Sequence, residues 1–132
     1  MGFVPNKIVA PSMISTVSGA YTASWAVRVW NVGAGSTAWT TANKANYTPF
    51  MLPHSVTALK LWWANGSTVT GNVDCGIYDV AGTRIVSTGS TLQASTSAIQ
   101  TVDITDTYLG KGIYYFALAC SSASATIFTF GS

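Results

Sequence analysis

From residue 49 to residue 119 the chain repeats one pattern: short stretches of alternating side chains, cut apart by turn residues. The clearest is Leu59-Lys60-Leu61-Trp62-Trp63-Ala64, which runs into Asn65-Gly66. A period of two sends successive side chains to opposite faces, so each stretch reads as a strand with one face turned to a core. Further stretches follow at 72–79, 83–88, 99–104 and 112–119, with turns at Asn65-Gly66, around Gly82 and at Gly110-Lys111-Gly112. No stretch carries a 3.6-residue period with helix caps. About eight strands at roughly 8–12-residue spacing predict an all-β fold, a single antiparallel β-sandwich of jelly-roll-like type.

The alternation also assigns faces. Thr57, Leu59, Leu61 and Trp63 form the more apolar set and are expected inside, leaving Val56, Ala58, Lys60 and Trp62 outside. Val73, Cys75 and Ile77 are expected to face inward, with Asp74, Gly76 and Tyr78 outward. For 84–87 the pattern leaves open whether Ile85 with Ser87 or Arg84 with Val86 faces the core. Val102 and Ile104 read as inward. Residues 113–120 are the most apolar run and predict a central strand. Pro49 and Pro53 confine 46–53 to a sheet edge or entry, because proline cannot donate to a ladder. Residues 125–130 read as a last strand, with Phe128 and Phe130 on one face.

Ahead of this region, residues 1–23 contain Pro5, Pro11 and a Ser/Thr/Gly/Ala run, and read as an extended N-terminal arm with room for an edge strand. Residues 24–132 then form the sandwich domain. Residues 25–32 alternate and predict a strand, Gly33 to Ser36 a flexible turn, and 37–45 a loop. Trp39 either anchors that loop to the core or stands out as a binding hot spot.

Composition narrows the function classes. Hydrophobic residues make up 48% of the 132, and charged residues only 8%, with no Glu. Apolar content this high excludes a disordered chain. The six cations, for a net charge of +2, are scattered, so no nucleic-acid footprint or polybasic membrane patch is present. No run is long and apolar enough for a transmembrane helix. The first residues lack the charged-then-apolar order of a secretory signal. Cys75 and Cys120 fall on apolar faces of separate strands and read as two buried thiols rather than a disulfide.

Catalytic chemistry finds little to work with. His54, the one histidine, follows Pro53 in a turn with no nucleophile motif nearby. The four Asp residues sit in turns (Asp79, Asp106) or at outward strand positions (Asp74, Asp103). Calcium is the one ion that Asp79, Asp103 and Asp106 raise; with no Glu and no dense Asp/Asn loop, no metal site is expected. The expectation is a protein that is not an enzyme and uses no cofactor. Aromatic side chains are the remaining resource. Trp30, Trp39, Trp62, Tyr78 and Tyr114 are the candidates for outward positions, where they would form a protein interface or stack on sugar rings.

Tyr47-Thr-Pro-Phe-Met-Leu-Pro53, Leu61-Trp-Trp-Ala-Asn-Gly66, Asn72-Val-Asp-Cys-Gly-Ile-Tyr-Asp79, Gly82-Thr-Arg-Ile-Val-Ser-Thr-Gly-Ser90 and Gly112-Ile-Tyr-Tyr-Phe-Ala-Leu-Ala119 resemble a β-sandwich domain of tailed-bacteriophage virion structural proteins. The resemblance covers about residues 46–120 and rests on turn and core signatures. It implies a non-enzymatic virion component assembled in the host cytoplasm, either a capsid decoration (cement) protein or a head or tail fibre. Its partners would be major capsid or tail proteins, reached through the N-terminal region and the aromatic surface, and it would be a homotrimer. The alternative is a carbohydrate-binding module that recognises a host-surface glycan. Neither reading involves nucleic acid or a membrane.

Overall fold

A computed structural model describes residues 14–16, 35–39 and 41–129. The predicted strand at 25–32, Trp30, Phe130 and most of the predicted arm lie outside the described residues. Every regular element among the described residues is a strand: β1 (Ile14–Thr16), β2 (Gly35–Ala38), β3 (Ala45–Leu52), β4 (Val56–Ala64), β5 (Asn72–Tyr78), β6 (Arg84–Ser87), β7 (Thr91–Leu92), β8 (Ile99–Leu109), β9 (Gly112–Cys120) and β10 (Thr126–Thr129). The protein is all-β, with antiparallel sheets. The described residues hold ten strands, and β1, β2 and β7 among them were not expected: they span four residues or fewer, too short for alternation to reveal.

The strands pair as β1-β4-β8, as β10-β2, and as β3-β9-β5-β6, with β7 also on β5. An isolated bridge between Asn65 and Ile127 ties β10 to the end of β4. Chain neighbours often lie in different sheets: β3 and β4 do, as do β4 and β5, and β8 and β9. Their inward faces meet in one core. Val56, Ala58, Leu61 and Trp63 of β4, Val73, Cys75 and Ile77 of β5, Phe116, Leu118 and Cys120 of β9, and Phe50 and Leu52 of β3 belong to a single buried cluster. Trp63 is the largest fully buried side chain. Truncating a buried Trp costs about 3–5 kcal/mol in comparable cores.

Three readings of the pattern are corrected. In β4 the inward set is Val56 and Ala58, then Leu61 and Trp63, and not Thr57 and Leu59. The ladder with β8 shifts register between Ala58 and Lys60, and such an irregularity inverts the phase of every residue beyond it. Gly35 and Ser36 belong to β2, which pairs with β10, instead of a flexible turn. Asn65-Gly66 is no hairpin turn, because β4 and β5 lie in different sheets. The open choice in β6 resolves to Val86, which packs against the core while Ile85 is exposed.

The two cysteines are free and buried. Cys75 lies opposite Leu118, and Cys120 opposite Val73. They are therefore diagonal neighbours, roughly 7–8 Å apart, beyond the ~6.8 Å that a disulfide spans between Cα atoms. Among the described strands β3 is a sheet edge, in keeping with Pro49 within it, and β9 runs between β3 and β5.

Candidate functional site

The five aromatic candidates do not converge. Trp39 is 8% exposed, belongs to the core and donates from Nε1 to the Lys44 carbonyl at 3.0 Å. It anchors the β2–β3 connection and offers no outward ring. Tyr114 points inward, against the expectation. It shares the parity of Phe116, Leu118 and Cys120, packs beside Phe50 with ring centres 5.9 Å apart, and donates its hydroxyl to the Gly110 carbonyl at 2.8 Å. Trp62 stands on the face of β4 opposite Trp63, half-buried and touching the margin of the core. Beside it Lys60 and Asp103 pair at 2.8 Å across β4 and β8, both solvent-exposed, a geometry that contributes little to stability. Trp30 lies outside the described residues. Tyr78 lies where it was expected, on the outer face of β5, and Trp62 too keeps its expected outer side of β4.

That face carries the residues the sequence reading missed. The register of β3, β9 and β5 lays it out in rows. Ala45, Ala119 and Asp74 form the first. Tyr47, Ala117 and Gly76 form the second, and Pro49, Tyr115 and Tyr78 the third. Met51 and Ile113 form the fourth. Tyr47 is 54% exposed, Met51 67% and Ile113 55%. The rings of Tyr47 and Tyr78 meet edge to face at 5.3 Å, leaning over the small residues Gly76 and Ala117 between them. Gly76 is needed there: a Cβ would run into the Val86 carbonyl and the Ser87 side chain. Burial raises the Tyr78 phenol above its ordinary pKa; Tyr47 adds to the rise and Arg84 opposes it. The only ionisable group besides the tyrosines in these rows is Asp74, whose Oδ1 is buried with no hydrogen-bond partner among the described residues. Alternation within β3 and β9 does place Tyr47, Pro49 and Met51, and Ile113 and Tyr115, on common faces. Which face pointed outward required the pairing.

A second cluster is structural. Asn65, fully buried, accepts on Oδ1 from Trp63 Nε1 at 2.7 Å and from Gln93 Nε2 at 3.0 Å. Its Nδ2 donates to the Ala94 and Ser95 carbonyls and to Gln100 Oε1. Gln93 also donates to the Thr126 carbonyl, and its Oε1 accepts from the Thr70 amide. These bonds fasten the 93–98 loop and β10 to the end of β4. Gly66 follows, buried, and a Cβ there would collide with the Ser36 and Thr126 side chains. Asp79 caps its own turn through the Ala81 and Thr83 amides, both at 2.9 Å. His54 is exposed on the surface. Among the described residues no group of three or more His, Cys, Asp or Glu side chains could hold a metal ion.

Fold and site together define an all-β protein whose most distinctive surface is a sheet face that no other described strand covers, with Asp74 and Arg84 as its charged side chains among the described strands. No protein-family model, curated protein or solved structure matches the chain.

Proposed function

We propose that this chain is a non-enzymatic structural protein of a virion, of the tailed-bacteriophage kind its motifs resemble. In this reading the sheets form a jelly-roll-like sandwich behind an N-terminal arm. The outer face of the five-stranded sheet is packed against another protein in the assembled particle. The observation that carries the reading is that face, where Tyr47, Met51 and Ile113 are each more than half exposed with a single carboxylate among them. Contiguous exposed apolar surface marks contact, and aromatic and Met side chains are enriched at the centres of interfaces. The low charge of the whole chain, 8% of residues, fits a protein held among neighbours.

Particles purified from the virus that encodes the chain test the reading by mass spectrometry and immunolabelling. The chain is expected in stoichiometric amount on the head or the tail. Replacing Met51 and Ile113 together by Lys is expected to reduce incorporation at least tenfold while the protein stays folded. Particles without the chain, or normal incorporation of the double variant, would overturn it.

The glycan-binding reading loses Trp39 as a stacking platform and keeps the exposed ring of Tyr47. It predicts sugar binding that Tyr47→Ala removes; a glycan array without hits rejects it.

A further inference from the structure

We infer that the partner on this face is a second copy of the chain, related by a two-fold axis lying between the sheets and perpendicular to the strands. The inference rests on the assembly reading in that it uses the same face. Its argument is the order of the rows. Along β3 and β9 the face climbs from a low end, Ala45 and Ala119, to a high end, Met51 and Ile113. A two-fold axis across the strands reverses that order and keeps each strand over its own counterpart. Met51 of one copy then stands over Ala45 of the other, and Ile113 over Ala119. In the middle, Pro49 lies over the exposed Tyr47 ring. Each large side chain meets a small one, and every contact occurs twice, as an isologous interface requires. An axis along the strands would instead leave high end on high end and low end on low end.

Asp74 and Lys111 agree with the same axis, and Arg84, opposite Tyr78 on β6, lies beyond the three strands that meet. The two Asp74 side chains fall at opposite ends of the interface and do not face each other. Lys111, exposed just before Ile113 at the high end, is brought to the end of the partner that holds Asp74. Pairing through sheet edges is less suited. Pro49 interrupts the ladder of edge strand β3, and the edge of β8 carries Asp103, Asp106 and a register shift, devices that blunt strand edges against added strands. Three strands at about 4.8 Å spacing and seven residues at about 3.4 Å give roughly 350 Å² in plan per copy. Side-chain relief raises the total buried to on the order of 1,000 Å², at the lower end for specific complexes. A reversible dimer follows.

Sedimentation equilibrium of the full chain across a wide concentration range provides the test. A monomer–dimer equilibrium is expected. Met51→Lys alone, or Ala45→Glu alone, should weaken it tenfold or more. Combining the two in one chain should restore it, because the carboxylate introduced at position 45 then meets the ammonium introduced at position 51 of the other copy, twice per dimer. Within one copy these positions lie six residues apart along a strand, too far to pair. A monomer at every concentration overturns the dimer, and so does a trimer, the state the resemblance implies. A dimer indifferent to Met51→Lys, or one that the double variant fails to restore, overturns the two-fold pairing. Failure here is distinguishable from failure of the virion reading: a monomer still incorporated into particles removes only the dimer, while a dimer absent from particles removes only the virion role.

Discussion

At the scale of single residues, the most informative side chain is Asn65. As part of an Asn-Gly pair after a strand it has the signature of a hairpin turn, yet it is fully buried and joins Trp63, Gln93 and Gln100. Asn65→Ala strands the buried Trp63 and Gln93 N–H donors and removes the bonds to the Ala94 and Ser95 carbonyls and to Gln100. A loss of about 2–4 kcal/mol is expected, since each orphaned buried group costs about 1–3 kcal/mol; urea denaturation measures it. Cys75 yields a prediction of a different kind. Burial pushes its thiol up from 9.0 to about 12, with a hydrogen bond from Thr88 opposing and Asp74 adding to the rise. The unfolded thiol ionises first as pH climbs, so the unfolded state binds fewer protons than the native state and stability falls with pH. The contribution is intact below pH 9.0 and is lost progressively towards about pH 12. The stability difference between the wild type and Cys75→Ala, measured by urea melts from about pH 8 to 11, is expected to shrink above pH 9.0. A difference independent of pH would contradict it. The native thiol should also resist maleimide at about pH 8, because the thiolate is the reacting species.

At the scale of elements, alternation identified β4, β5, β8 and β9 because each keeps one face in the core for several residues. It failed where a strand is short or irregular. β1 and β7 are too brief to show a period, and the register shift in β4 moved Ala58 inside and Leu59 out. Such a shift depends on the partner strand, which no local pattern contains. Tyr114 shares the parity of Phe116 and Leu118, and that position, not its aromatic character, turns it inward. The edge strand β3 shows local chemistry matched to its place: Pro49 removes a donor from an edge that would otherwise accept another strand. Pro49→Val restores that donor with a β-favouring side chain. It is expected to increase light scattering in a heated, concentrated sample while leaving the midpoint of unfolding nearly unchanged; scattering equal to the wild type would show that the edge is protected by other means.

At the scale of the whole molecule, residues 14–16 are part of a sheet. They pair with β4 at Leu61, Lys60 and Ala58, so one stretch of the predicted arm lies against the sheet. Deleting residues 1–23 would reduce the β1-β4-β8 sheet to two strands and uncover an edge of β4 beside the fully buried Leu61. The truncated protein is expected to lose about 1–3 kcal/mol, within the range of single structural lesions, and thermal unfolding would register a lower midpoint; an unchanged midpoint would mean that β1 adds nothing to the sheet. By itself the sequence determined an all-β chain, the core positions of β5 and β9, an edge or entry position for β3, two buried thiols and a low content of charge. Each of these follows from local spacing and residue type. Tertiary structure alone decided that Asn65 is a buried hub, that Trp39 and Tyr114 are turned inward, and that Tyr47, Met51, Ile113 and Tyr115 share an open face. The physical reason is that a face or a hub is made by strands distant in the chain, and their register is set by the packing of the core they enclose.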